Sequence, residues 1–229
     1  MTKYLQLRIS VEPSIVGVTN GGCQGWIDEK KYPKKDYLEL VTCNDYNVFK
    51  SLIKKNETFI SLLDKSKITD VIYFGPFLRY CPFMARTPFF ETISHFNIDD
   101  YFLTDATVNK KGVELVEQYK LFCLSYINKD WIDFKQTTAS LNGQITEDKL
   151  LHLESYDQYR NSLEKHPLLG LVTVYLNSKF DQSLDLFRLP IGGGGIFISE
   201  RLATSLFEDR QYSGIELVDH GTQVYCTSK

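Results

Sequence analysis

Along Lys3–Val11 the residues Tyr4, Leu5, Leu7, Ile9 and Val11 recur in near-strict alternation with polar ones. That period of two predicts a first strand with one face in a core. Gly17, Gly21, Gly22 and Gly25 then break Ser14–Trp26 into turns, and the charged, proline-containing stretch Asp28–Asp36 reads as a surface loop. Tyr37–Thr42 is a short strand candidate. Asp45–Leu63 carries the clearest helical period, with Val48, Phe49, Leu52, Ile53, Phe59, Ile60 and Leu63 on one stripe. Lys50, Lys54, Lys55 and Glu57 lie on the opposite, solvated face, and Asn44 is placed to cap the helix.

An apolar run at Ile68–Phe74, closed by Gly75-Pro76, predicts a strand. Thr87-Pro88 then opens a second helix, with a hydroxyl cap followed by proline at the first helical position. Phe89, Phe90, Ile93 and Phe96 give that helix its apolar face, and Tyr101–Val108 returns as a strand. Tyr119–Ile127 and Trp131–Thr138 read as two strands joined by Asn128-Lys129-Asp130, and Asn142-Gly143 marks another turn. Leu150–Tyr159 alternates in part, as a strand edge or a short helix would. Leu168–Leu176 is β-branched and apolar enough for a buried strand.

The pattern is densest from Leu184 to Val218. Two short strands, Leu184–Leu189 and Ile196–Ile198, flank the tetraglycine Gly192–Gly195, which predicts a flexible hairpin. Ser199 is placed to cap a helix, Glu200 sits in its first turn where the dipole favours an anion, and Leu202, Ala203, Leu206 and Phe207 recur at helical spacing. Ser213-Gly214 stops the helix, and Ile215, Leu217 and Val218 resume as a strand. The order at 68–108 is the same as at 184–218, which raises a duplicated strand–helix–strand unit within a single domain spanning 1–229. The predicted class is α+β: a mixed, mostly antiparallel sheet with about three helices packed on it.

Composition narrows the function classes. Of the 229 residues 43% are hydrophobic and 14% aromatic, enough for a substantial core and too much for a disordered chain. A formal charge of −3 gives no general pull toward nucleic acid or an anionic membrane. No apolar run reaches the roughly 18 residues of a transmembrane helix, and the N-terminus lacks a signal-peptide stretch, so a cytoplasmic location is expected. The five scattered cysteines, Cys23, Cys43, Cys81, Cys123 and Cys226, then read as thiols acting as small hydrophobes.

Chemical motifs are sparse. A phosphate loop needs its glycines to run straight into a helix with a Lys-Ser/Thr pair, whereas a strand follows Gly192–Gly195 and no lysine is present. His95, His152, His166 and His220 stand far apart, without metal-ligand spacing, and a His220–Cys226 pair across a hairpin makes only two ligands. No local signature marks a Cys–His nucleophilic pair. Ser199 lacks the Gly-x-Ser-x-Gly elbow of a nucleophile, so its oxygen is assigned to the backbone as a cap. No cofactor and no metal site is expected. Two acidic-aromatic stretches remain as candidate partner-binding residues: Asp99, Asp100 and Tyr101 with Asp105, and Glu154, Tyr156, Asp157 and Tyr159. Tyrosine supplies contact area at low entropy cost, and carboxylates answer a basic partner.

Phe187-Arg188-Leu189, Ile198-Ser199-Glu200-Arg201-Leu202 and Gly214-Ile215-Glu216 together resemble the C-terminal signature of a family of bacterial immunity proteins that accompany polymorphic toxins. Phe83–Leu103 is similar to a weaker part of the same pattern, and the four glycines are foreign to it. The resemblance implies a single-domain protein that binds a cognate toxin domain and neutralises it by occlusion, with no catalysis, nucleic acid or membrane involved. The signature residues Phe187, Arg188, Leu189, Ser199, Glu200, Gly214 and Glu216 would be structural. Two other classes stay open: a small-ligand or peptide-binding module, with an apolar cleft, and a small hydrolase whose catalytic groups converge from separate loops.

Overall fold

The structure, a computed structural model, describes residues 2–141, 150–218 and 221–227. In chain order, β1 (Thr2–Ile9) leads to one turn of helix, α1 (Pro13–Val16), and to β2 (Cys23–Ile27). Helices α2 (Lys34–Thr42) and α3 (Tyr46–Lys55) precede β3 (Thr58–Leu62), β4 (Val71–Gly75) and β5 (Phe83–Arg86). Then come α4 (Thr87–Ile93), β6 (Tyr101–Lys110), β7 (Val113–Glu114) and β8 (Tyr119–Leu124). The later chain supplies β9 (Thr138–Ser140), β10 (Leu150–His152), α5 (Tyr156–Lys165), β11 (Gly170–Leu176), β12 (Leu186–Arg188) and β13 (Ile196–Ile198). It ends with α6 (Glu200–Thr204), a π-helical turn at Ser205–Asp209, β14 (Ile215–Leu217) and β15 (Gln223–Cys226).

The chain divides into two compact units. One comprises Met1–Arg8, Tyr126–Thr204 and Leu217–Lys229, and the other Ile9–Ser125 and Ser205–Glu216. In the first unit the sheet runs β10-β9-β11-β15-β1-β13-β12, and β11 with β15 is its parallel pair. Its core gathers Tyr4, Phe180, Phe187 and Phe197 with Leu171, Val174, Leu176 and Val224. Phe187 is fully buried at the centre, edge-on to Tyr4 at 4.9 Å and to Phe180 at 5.0 Å.

The second unit is a barrel. Strands run β3-β2-β4-β5-β8-β6, and β3 pairs with β6 to close the ring, so six strands have no open edge among themselves. β7 extends from β6. Alternation places Thr58, Ile60 and Leu62 of β3 inside and leaves Phe59 and Ser61 outside. Phe83 stacks on Phe122 at 5.1 Å, and Phe89 of α4 meets Phe83 edge-on at 5.8 Å. Helix α3 buries Phe49 and Ile53 and is capped by Asp45, whose carboxylate accepts from the Asn47 and Val48 N–H groups.

These findings correct the expected fold class. Among the described residues strand outweighs helix, 35% to 26%, and a closed barrel, a second large sheet and six helices replace one sheet with about three. The errors have local causes. The helical stripe expected over Asp45–Leu63 stops at Asn56, and the apolar residues beyond it, Phe59, Ile60 and Leu62, belong to β3. The cap is Asp45 rather than Asn44. Tyr37–Thr42, expected as a strand, lies within α2, which buries Leu40 alone and so shows almost no apolar stripe. The glycine-rich stretch read as turns holds α1 and β2, where Gly25 lets β2 approach Ser61 and Leu62 of β3. Trp131–Thr138 is a 3-10 turn followed by irregular chain that reaches β9 only at Thr138. Thr87 opens α4 but does not cap it; its hydroxyl is buried without a partner, and Arg86 occupies the cap position. Leu150–Tyr159 combines both readings, as β10 and then the start of α5 under a Ser155 cap. The Asn142-Gly143 turn and His220 lie outside the described residues.

Candidate functional site

Five of the signature residues, Phe187, Arg188, Leu189, Ser199 and Gly214, are built into the fold. In the first unit Ser199 donates its hydroxyl to Asp185 at 2.6 Å and accepts from the Leu202 N–H at 3.3 Å. Arg201 donates Nε to the same carboxylate at 2.6 Å and closes a second contact through Nη2. Asp185 is 2% exposed, so these bonds satisfy a buried charge and fix the start of α6. Ser199 therefore spends its oxygen on its own corner. Glu200 is exposed in the first turn.

Arg188 is 1% exposed. Its Nε donates to the Gly194 carbonyl at 3.1 Å, its Nη2 to the Tyr126 hydroxyl at 3.3 Å, and its guanidinium lies 4.5 Å from the Tyr126 ring centre. Gly192, Gly193 and Gly194 all have positive φ, and a Cβ on Gly194 would meet Arg188 Nη2 at 2.8 Å. The four glycines thus form a turn folded over the arginine, with the Gly192 N–H donating to the Tyr159 hydroxyl at 2.9 Å. Gly214 and Glu216 belong to the barrel unit. Gly214 has φ +89° and its missing side chain would collide with the Val71 carbonyl, so that position requires glycine.

The two acidic-aromatic stretches fall in different units. In the first unit, Glu154 and Asp157 are exposed around the start of α5. Tyr156 packs on Phe134 and lies under the Lys129 ammonium at 5.0 Å, while Tyr159 is core. In the barrel unit, Asp99 is partly buried; burial holds its carboxyl above the usual range, against the Asp100 N–H and the Ser125 hydroxyl that pull it down. The Asp100 carbonyl accepts from the Tyr46 hydroxyl at 3.0 Å, and Tyr101 tilts against Phe122 at 5.6 Å. Asp100 is exposed as well, and Asp105 is widely open, its side chain 89% exposed and 3.3 Å from Lys120 Nζ.

Asp105 lines a groove of about 550 Å³ with Thr107, Glu114, Val116, Glu117 and Lys120. Its wall is a break in pairing along β6. Ala106 pairs with Tyr119, and the Leu115 N–H already reaches the Val108 carbonyl, so Val116, Glu117 and Gln118 stand opposite Thr107 alone. Such a bulge re-aims side chains, and here it sends Glu117 to Arg86 at 3.4 Å and leaves Val116 96% exposed. Arg86 Nε also donates to the Tyr119 hydroxyl, which donates to the Thr69 carbonyl at 2.7 Å. Glu114, Val116 and Glu117 were missed from sequence. Alternation is lost between β7 and β8, and that loss was the signal available.

A second cavity, of about 360 Å³ in the first unit, is lined by Gln6, Arg8, Ser140, Gly192, Gly221 and Thr222. Gln6 Oε1 accepts from the Thr222 N–H at 3.0 Å, and the Thr222 hydroxyl donates to the Leu171 carbonyl, so part of its polar lining is engaged in the fold. The five cysteines form no disulfide, and burial pushes the Cys226 thiol up to about 11. Among the described residues no three His, Cys, Asp or Glu side chains gather as metal ligands, and no helix is long and apolar enough to cross a membrane. No protein-family model matches the chain, and no curated protein matches it.

Proposed function

We propose that this chain is a cytoplasmic immunity protein that binds a cognate bacterial toxin domain and neutralises it by covering its active site or substrate path, without catalysis. The observation that carries the reading is the acid-lined groove of the barrel unit, where Asp105, Glu114 and Glu117 flank the exposed Val113 and Val116. Exposed valines beside carboxylates suit a protein partner, since apolar contact supplies affinity and charge supplies steering. Closure of the six-stranded barrel contributes the rigidity that such a surface needs, because an interface of about 800 Å² per partner loses affinity when its frame must order on binding.

A direct test mixes the purified protein with an inactivated toxin domain encoded by the adjacent gene. Nanomolar, one-to-one binding that also blocks the active toxin supports the reading. Absence of both binding and protection of toxin-expressing cells overturns it. The 360 Å³ cavity of the first unit favours a second reading, a small-ligand module. Thermal stabilisation by a library of small polar metabolites, lost on Arg8→Ala, would select it.

A further inference from the structure

Asn20 and Gly21 stand in the exposed turn between α1 and β2 of the barrel unit. Buried Val18 and Cys23 anchor the turn on either side. Gly21 has φ +73° and Gly22 φ +82°, so the chain passes here through the left-handed region that favours glycine. A Cβ on Gly22 would meet the Ser10 carbonyl at 2.7 Å, whereas one on Gly21 would meet nothing within 4 Å. Gly21 is thus open to approach. Among the described residues, neither the Asn20 carboxamide nor the Gly21 N–H has a hydrogen-bond partner.

We propose that Asn20 is a self-modification site, where the chain turns an amide into a carboxylate with water as the only co-reactant. The Gly21 nitrogen gives up its proton and attacks the Asn20 Cγ. The new C–N bond closes a cyclic imide as the Cγ–Nδ2 bond breaks and ammonia leaves with the proton. Water then opens the ring at one of its two carbonyls. Attack at Cγ gives aspartate, and attack at the main-chain carbon gives isoaspartate, whose backbone runs through the side chain. Nothing is oxidised or reduced.

Three features select this asparagine. Gly21 has no side chain to shield its nitrogen, no hydrogen bond must first be broken, and an exposed turn opens at little cost. Other asparagines lack at least one of these. The β-branched Val48 follows Asn47, and its N–H is held by the Asp45 carboxylate. Asn161 lies inside α5, and Asn177 gives its amide to the Asp130 carbonyl at 2.8 Å. The product is ionised at neutral pH, so one further negative charge takes the formal charge from −3 to −4. It joins Asp64 at a cavity of about 420 Å³ that Asn20 lines together with Thr19, Leu63 and Lys65. The inference does not rest on the immunity reading.

The experiment ages the full chain in mildly alkaline buffer and maps its tryptic peptides by mass, with an unaged sample as the blank. Trypsin releases Ile9–Lys30 as one peptide with Asn20 as its single asparagine, and Asn142 falls in a separate peptide. The folded chain is expected to convert Asn20 within about threefold of the rate in the free Ile9–Lys30 peptide, because the turn needs almost no opening. Aspartate and isoaspartate products should grow in together, and both should slow at mildly acidic pH, where the attacking nitrogen keeps its proton. Asn20→Gln lengthens an exposed side chain and should abolish the conversion at unchanged melting temperature. A lag of about tenfold or more behind the free peptide would mean that the folded turn holds the Asn20 Cγ away from Gly21, and overturns the proposal. Conversion that persists in Asn20→Gln would place the change at Gln24 and overturn it as well.

Discussion

Two aspartates occupy matching places in the two strand–strand–helix–strand stretches, and they are used differently. Asp70 stands just ahead of β4 and Asp185 just ahead of β12. Each backbone carbonyl accepts the N–H at the start of the helix that follows the hairpin, from Arg86 and from Ser199, both at 2.9 Å. Each carboxylate takes a serine hydroxyl at 2.6 Å and an arginine. There the likeness ends. Asp185 is 2% exposed and its serine and arginine come from the start of α6, within 16 residues. Asp70, with its side chain 29% exposed, takes Ser213 from 143 residues away and Arg86 only at 3.5 Å. The shared backbone plan makes a hairpin-to-helix corner. The carboxylate then serves either as a local plug for that corner or as a clasp on distant chain.

The clasp is the easier of the two to break outright, because a glycine follows its serine. Gly214→Ala puts a Cβ against the Val71 carbonyl at φ +89°, and should cost about 3 kcal/mol in urea unfolding. A loss below 1 kcal/mol would mean that Ser213–Gly214 does not hold Asp70. Asp185→Ala comes next, at roughly 2–3 kcal/mol, since it removes charge-assisted bonds at a carboxylate that is 2% exposed and leaves the half-buried Ser199 hydroxyl without it. Asp70→Ala should cost about 1–2 kcal/mol, because water can replace part of what it loses. If the two alanine variants unfold alike, burial is not what separates the plug from the clasp.

The plug was legible in sequence and the clasp was not. Ser199 before Glu200 and an apolar helical period is a local signal, and the cap forms where those residues place it. Ser213 looks like any helix stop, and nothing local says that its hydroxyl belongs to Asp70. The same division runs through the fold. Strands marked by alternation or by an apolar, β-rich run, β1, β6, β8 and β11, were readable, whereas barrel closure depends on β3 pairing with β6 residues 48 positions further along the chain. That pairing also explains why Thr58–Leu62 passed for helix, since it follows α3 directly and is as apolar. Of the candidate site, Asp105 was found from its acidic-aromatic context. Glu114, Val116 and Glu117 were not, because what presents them is a break in pairing between β7 and β8 that depends on the partner strand β6.

Asp99 sharpens the comparison from the other side, and its effect is the smallest. It too precedes a strand, β6, and is partly buried, but its neighbours are the Asp100 N–H and a Ser125 hydroxyl at 3.4 Å. Burial dominates and raises its pKa, so the native state holds this proton more tightly than the unfolded chain does. Stability from this group is then present at low pH, falls as pH rises past the unfolded aspartate value near 3.9, and levels off above the raised native value. Asp99→Asn keeps the shape and removes the titration. The variant should melt at a higher temperature than the wild type at pH 7, and the gap should close by about pH 3.5. A variant less stable than wild type at pH 7 would show that Asp99 is a carboxylate the fold uses in its charged form.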